Sequence, residues 1–144
     1  MMSRKTILIV DDDPKLLLAM QKRMEHAGYE VVLATDGAAA LEHARTMRID
    51  VISLDVCMPG TISGLDVAAQ LQRDPRAARI PIIFVTGSAN DEFKQACTRV
   101  GAKYFLSKPF DADLLLQTVR GLFGEDELGE ARRLSLAKRR QPVS

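Results

Sequence analysis

The stretch "ILIVDDDP", residues 7–14, decides how this chain is read. Four aliphatic residues run straight into three aspartates and a proline. The aliphatic run reads as a strand buried on both faces, and the proline suits the first turn of a helix. Adjacent carboxylates repel one another, and taking them out of water is costly. A strand that ends on such a cluster implies something nearby that offsets the cost.

The same grammar repeats along the chain. "KTILIV" (5–10), "YEVVLA" (29–34), "DVISLD" (50–55), "IPIIFVT" (80–86) and "KYFLS" (103–107) read as short apolar strands. Helix-like stretches alternate with them: "PKLLLAMQKRMEHAG" (14–28), "DGAAALEHARTM" (36–47), "GLDVAAQLQRD" (64–74), "NDEFKQACTRVGA" (90–102) and "DADLLLQTVRGLF" (111–123). In the first helix Leu17, Met20, Met24 and Ala27 share one face, and Gly28 is a C-terminal stop. Asp36 is a candidate N-cap for the second, Pro75 stops the third, and Gly101 ends the fourth. Strands that alternate with helices imply a parallel sheet with right-handed crossovers. The pattern fades from residue 125. We expect one domain over 1–124 and a charged tail over 125–144, flexible or partly helical, acidic first ("EDELGE") and basic later ("RRLSLAKRR").

Composition fits that picture. A chain of 144 residues makes one domain, and 47% hydrophobic with 27% charged residues is ordinary for a globular protein. Aromatics are only 5% and Trp is absent, so the core must be aliphatic. A formal net charge of +1 does not point the molecule as a whole toward nucleic acid or a membrane surface. The basic run at 132–140 lacks interleaved aromatics and follows an acidic segment, so it reads as a solvated tail. Cys57 and Cys97 have no metal-ligand spacing and suit a reducing compartment as small hydrophobes. The start "MMSRKTILIV" has no long apolar region of a secretory signal, and no run approaches the roughly 20 residues of a membrane span. A cytoplasmic location is expected.

In open α/β sheets ligands bind beyond the carboxyl ends of the strands. The polar residues there are Asp11 and Asp12 after the first strand, Asp55 after the third, Thr86 after the fourth and Lys108 after the fifth. Each alone has an ordinary structural role, as a helix cap, a turn cap, a β-branched strand residue or a surface lysine. Together they describe a site for a divalent cation and a phosphoryl group. Hard oxygen ligands suit Mg²⁺, which retains waters and takes few protein carboxylates.

At this point the chain resembles a known family. "ILIVDDDP", "DVISLDVCMPG", "PIIFVTG" and "YFLSKPF", in that order and spacing, are similar to the motifs of a bacterial two-component response-regulator receiver domain, the CheY-like type, over roughly residues 5–123. The resemblance implies a flavodoxin-like (βα)5 doubly wound sandwich, α/β in class, whose five-stranded parallel sheet has order 2-1-3-4-5. It implies Asp55 as phosphoacceptor from a histidine kinase or histidine phosphotransfer protein. Asp12 would be the direct Mg²⁺ ligand (Mn²⁺ could substitute), helped by Asp11, Asp55 itself and the backbone carbonyl of Cys57. Thr86 and Lys108 would bind phosphoryl oxygens. Phe105 would turn inward with Thr86 as the switch, and Pro109 would follow a cis peptide. Phosphoryl transfer needs positioning and charge neutralisation, and a carboxylate, ionised near neutral pH, needs no activating base.

Three features depart from the family pattern. "PGTISG" is slightly longer than the usual loop, with Ser63 where an acid is frequent. Cys57 is an unusual choice two residues after the acceptor, at a position that tunes the phosphoryl lifetime. Phe105 has no hydroxyl at its tip. We expect a signalling switch, not an enzyme beyond its own Asp phosphorylation and dephosphorylation. Its output would be a protein target on the face formed by the fourth helix, fifth strand and fifth helix, or further phosphotransfer, with a homodimer left open. Two alternatives remain at this stage. One is a metal-dependent phosphatase or phosphotransferase with an aspartyl nucleophile, in which "DDDP" supplies a DxD pair through Asp11 and Asp13. The other is a binding module without phosphorylation.

Overall fold

The protein is described by a computed structural model, which covers residues 4–56, 58, 63–87, 95–96, 98–99 and 104–124. Five strands, β1 (Thr6–Val10), β2 (Glu30–Ala34), β3 (Val51–Asp55), β4 (Ile82–Thr86) and β5 (Tyr104–Ser107), form one parallel sheet of order β2-β1-β3-β4-β5. Helices α1 (Pro14–His26), α2 (Gly37–Thr46) and α3 (Gly64–Arg73) and a C-terminal helix (Ala112–Phe123) cover its two faces. This is the flavodoxin-like arrangement and strand order that the motifs imply. Of the expected fourth helix, Gln95, Ala96, Thr98 and Arg99 are helical, and the rest of 90–102 lies outside the described residues. So does the tail 125–144.

The strands are short enough that side-chain alternation alone sorts the core into two layers. Leu8, Val10, Ile52, Leu54, Ile82 and Phe84 pack with α2 and α3 residues such as Leu41, Ala44, Val67 and Leu71. Ile7, Ile9, Val51, Ile83 and Val85 pack with Leu17, Met20 and Met24 of α1 and with Leu115, Leu116 and Val119 of the C-terminal helix. The three central strands β1, β3 and β4 are buried along nearly their whole length. The edge strands differ: β2 runs exposed, then half-buried, then buried, and β5 runs half-buried, then buried, then exposed. An edge strand has a neighbour on one side only, and its side chains keep part of their contact with water.

Capping chemistry sets the element ends. Asp13 is the N-cap of α1, its carboxylate accepting the Lys15 and Leu16 N–H groups, with Pro14 in the first turn. Gly28 follows the C-cap with φ 99°, a left-handed conformation that glycine adopts without penalty. Asp36 caps α2 as its sequence position predicts, and Asp111 caps the C-terminal helix. No helix among the described residues is long and apolar enough to cross a membrane.

Candidate functional site

The period-two alternation that builds the core also aims the polar residues. Ile7 and Ile9 face the α1 layer, and Asp11 continues that parity; so does Asp55 after Val51 and Ser53, and Lys108 after Tyr104 and Leu106. The ladder extends one residue past two of these strands. The Asp11 N–H donates to the Ala34 carbonyl at 3.1 Å, and the Lys108 N–H donates to the Thr86 carbonyl at 2.8 Å. Three charged residues from three strands therefore meet on one side of the rim.

Their geometry is compact. The Lys108 ammonium lies 2.9 Å from Asp55 Oδ2 and 3.0 Å from Asp11 Oδ2. Asp55 is 1% exposed and Asp11 2%, so one cation partly neutralises two nearly buried carboxylates. Asp12 is exposed, yet one oxygen from each of Asp11, Asp12 and Asp55 lies within 4.8 Å of the others. The opposed charges leave a mark on acidity. Burial raises the Asp11 pKa above the ordinary carboxylate value, and the neighbouring Asp55 charge adds to this. The Asp13 N–H, which donates to Asp11 Oδ1 at 2.9 Å, and Lys108 act in the other direction. Burial lowers the pKa of Lys108, but its hydrogen bonds to Asp55 and Asp11 outweigh this and hold the ammonium above the usual range.

Thr86 and Phe105 have the other parity. Thr86 is buried at the end of β4, and Phe105 packs half-buried against Phe84, with ring centroids 6.1 Å apart and planes tilted by 36°. The Lys108–Pro109 peptide is cis, as the sequence motif implies. Cys57 and the whole "PGTI" segment (59–62) lie outside the described residues. Asp11, Asp12, Asp55, Thr86 and Lys108 thus come to one rim, and only Cys57 of the expected set is undescribed.

Two further points refine the sequence reading. Asp13 has its carboxylate engaged as the α1 cap, and the carboxylates that gather at the rim are those of Asp11, Asp12 and Asp55. Ser63, the departure from the family's usual acid, is the N-cap of α3 in a reciprocal capping box. Its hydroxyl accepts the Asp66 N–H at 3.2 Å, and the Asp66 carboxylate accepts the Ser63 N–H at 3.3 Å. The S-x-x-D spacing at 63–66 was the available signal for this.

Comparison with known proteins matches this geometry to a family. A family model described as the response regulator receiver domain matches residues 7–120. Protein PilH of Pseudomonas aeruginosa is 34% identical over 116 residues, covering 81% of this chain and 95% of that protein. The chain spans only 48% and 50% of two longer relatives described as transcriptional regulators. Among solved structures, the chemotaxis protein CheY4 of Vibrio cholerae superposes with a TM-score of 0.77 at 34% identity, covering 82% of this chain and 98% of that one. The receiver domain of a Pseudomonas aeruginosa sensor histidine kinase, described with a magnesium ion coordinated in its active-site cleft, has a TM-score of 0.74 at 27% identity over 82% of this chain and 96% of that one.

Proposed function

This chain belongs to the response-regulator receiver family, a family of two-component signalling switches, and from that premise we propose that it accepts a phosphoryl group on Asp55 and signals through the change this produces. The observation that carries the reading is the single ammonium of Lys108 held within 3.0 Å of both Asp11 and Asp55.

The donor set fits a small divalent cation. It has three carboxylate oxygens within reach of one another, two of the groups being nearly buried, in a cluster whose mutual repulsion a cation would relieve. Asp12 and Asp11, with Asp55 and the Cys57 carbonyl, would hold Mg²⁺ or Mn²⁺. When bound, the ion supplies charge neutralisation at the phosphoryl oxygens. The chain's own groups do the rest. An Asp55 carboxylate oxygen forms the new bond to phosphorus as the donor's bond to that phosphorus breaks, and the leaving group departs with the electron pair. The Lys108 ammonium, already beside Asp55, transfers its hydrogen bond to a phosphoryl oxygen. Thr86 donates its hydroxyl to another. Drawing Thr86 toward the phosphate opens room beside Phe105, whose ring reorients and changes the surface near β5 and the C-terminal helix. The phosphodonor is a histidine kinase or histidine phosphotransfer protein, and the reader is a protein target. The module acts as a switch, catalysing only its own phosphorylation and dephosphorylation, and residues 1–124 are its working unit.

The test is intact-protein mass spectrometry after incubation with acetyl phosphate, with and without Mg²⁺, beside Asp55→Asn. One phosphoryl adduct is expected that requires Mg²⁺ and is absent from the variant. A correctly folded wild-type protein with no adduct, or an adduct that persists in Asp55→Asn, would overturn the assignment.

A further inference from the structure

The site's charged groups face the rim, but the backbone that carries Asp55 is gripped from behind. A Cβ placed on Gly64, the first residue of α3, would lie 2.5 Å from Val56 Cα and 2.6 Å from the Asp55 carbonyl oxygen. Real Cβ atoms do not approach backbone that closely, so only glycine permits α3 to start where it does. The glycine beside the neighbouring strand end, Gly87, meets nothing within 4 Å of such an atom. The tight approach therefore singles out β3.

Other contacts make this seat rigid. The Ser63–Asp66 capping box fixes the first turn of α3. Ala68 and Leu71 then anchor the helix in the same core layer as Leu54 and Val56. On the sheet side, Asp55 is in register with Val85, and the Val56 N–H donates to the Val85 carbonyl at 3.0 Å. The peptide that follows Asp55 is held between β4 and the start of α3, so the backbone sets where the carboxylate meets the Lys108 ammonium.

We propose that Gly64 is a positioning residue for phosphoryl transfer: its missing side chain lets α3 bear directly on the Asp55 carbonyl, and that contact sets where the Asp55 carboxylate stands relative to Lys108 and Asp11. The inference rests on the reading of Asp55 as the acceptor. It adds a residue that touches neither phosphoryl group nor cation. A methyl at Gly64 cannot be accommodated by turning a side chain, because what it meets is backbone. Either the end of β3 or the start of α3 must shift, and the Asp55 carboxylate leaves its place beside Lys108.

The experiment compares single-turnover phosphorylation of the full chain by acetyl phosphate at saturating Mg²⁺, per folded molecule and well below the melting temperature. The variants are Gly64→Ala, Ser63→Ala and, as a control, Val67→Ala. Gly64→Ala is expected to lose about 10²-fold in rate, the scale of a misplacement of about 1 Å at a reacting group. Val67→Ala removes buried volume from the same helix, so it lowers the melting temperature while keeping the wild-type rate. Ser63→Ala frays the first turn without adding an atom, and loses rate in the same direction by a smaller factor. A wild-type rate in Gly64→Ala would overturn the proposal, as would equal slowing in Val67→Ala. Should Gly64→Ala not fold, a wild-type rate in Ser63→Ala would overturn it. The prior reading fails differently: the wild-type protein itself would take no adduct.

Discussion

At the carboxyl ends of the strands, Asp11 and Asp55 are nearly buried with one ammonium between them. At the opposite end of the molecule, Asp50 precedes β3 and Asp74 caps the C-terminus of α3. These two are satisfied locally. Asp50 Oδ2 accepts the Thr6 N–H at 2.7 Å and so ties β3 to the start of β1. Asp74 Oδ1 accepts the Arg76 N–H at 2.9 Å, and the Arg76 and Arg45 guanidiniums flank it at 3.3 Å each. The direction of the pKa shift separates the two kinds of acid. Burial raises Asp11, whereas the Arg76 N–H, its guanidinium and then Arg45 lower Asp74. One fold therefore carries an acid, Asp74, that its donors favour at one end and an acid, Asp11, held against its preference at the other. A residue type is not informative by itself; its donors are.

The strongest way to break this comparison is to remove the ammonium. Lys108→Met leaves two nearly buried carboxylates without their cation, and about 3 kcal/mol of stability is expected to go in EDTA near pH 7. Urea unfolding measures it. Added Mg²⁺ should recover part of the loss, because an ion that binds only the folded state stabilises it. A variant as stable as the wild type would show that Asp11 and Asp55 are not in opposition, and the contrast between the two ends would collapse. The wild-type protein carries a related signature. The pKa of Lys108 is raised on folding, so its contribution is fully present below the ordinary lysine value of 10.5 and is lost as pH rises through the raised value.

Much of this was legible in the sequence, because a continuous apolar run, a proline at a helix start and an Asp at a strand end are local signals. Asp36 was readable as a cap because its side chain acts within three residues. The strand ends Asp11, Asp55 and Lys108 were readable as a set because a parallel sheet brings all its carboxyl ends to one rim. What could not be read was distance at the level of contacts. Nothing in "TISGLD" says that Gly64 abuts the carbonyl of a residue nine positions earlier, since that depends on the angle at which α3 returns to the sheet. Likewise, the half-exposed character of β2 follows from its place at the edge, and "EVVLA" is as apolar as the central strands.

A smaller effect sharpens the contrast from the other end. Asp50→Ala removes the acceptor of a partly buried backbone N–H, and about 1–2 kcal/mol of stability should be lost. The phosphoryl adduct on Asp55 should still form at the wild-type rate per folded molecule. If that rate fell as well, the two ends of β3 would be coupled, and the division between structural and chemical acids would be drawn in the wrong place.

The finest test is the sign of the pH dependence. Because the folded-state pKa of Asp11 lies above 3.8, the unfolded chain ionises first as pH rises, and stability falls across the interval between the two values. Asp11→Asn should therefore be more stable than the wild type in EDTA near neutral pH, with the difference closing on acidification. Asp74 runs the other way. Its folded-state pKa lies below 3.8, so its contribution is present above that value and is lost as pH falls through the depressed one. Asp74→Asn should cost little, because the guanidiniums around it are well exposed and water screens them. What it costs should vanish at the acid limb of the unfolding curve, just where the Asp11→Asn difference has already closed. Opposite slopes from the two variants would confirm that burial governs one acid and donors govern the other. Parallel slopes would mean that a single cause, the net charge of the folded chain, acts on both.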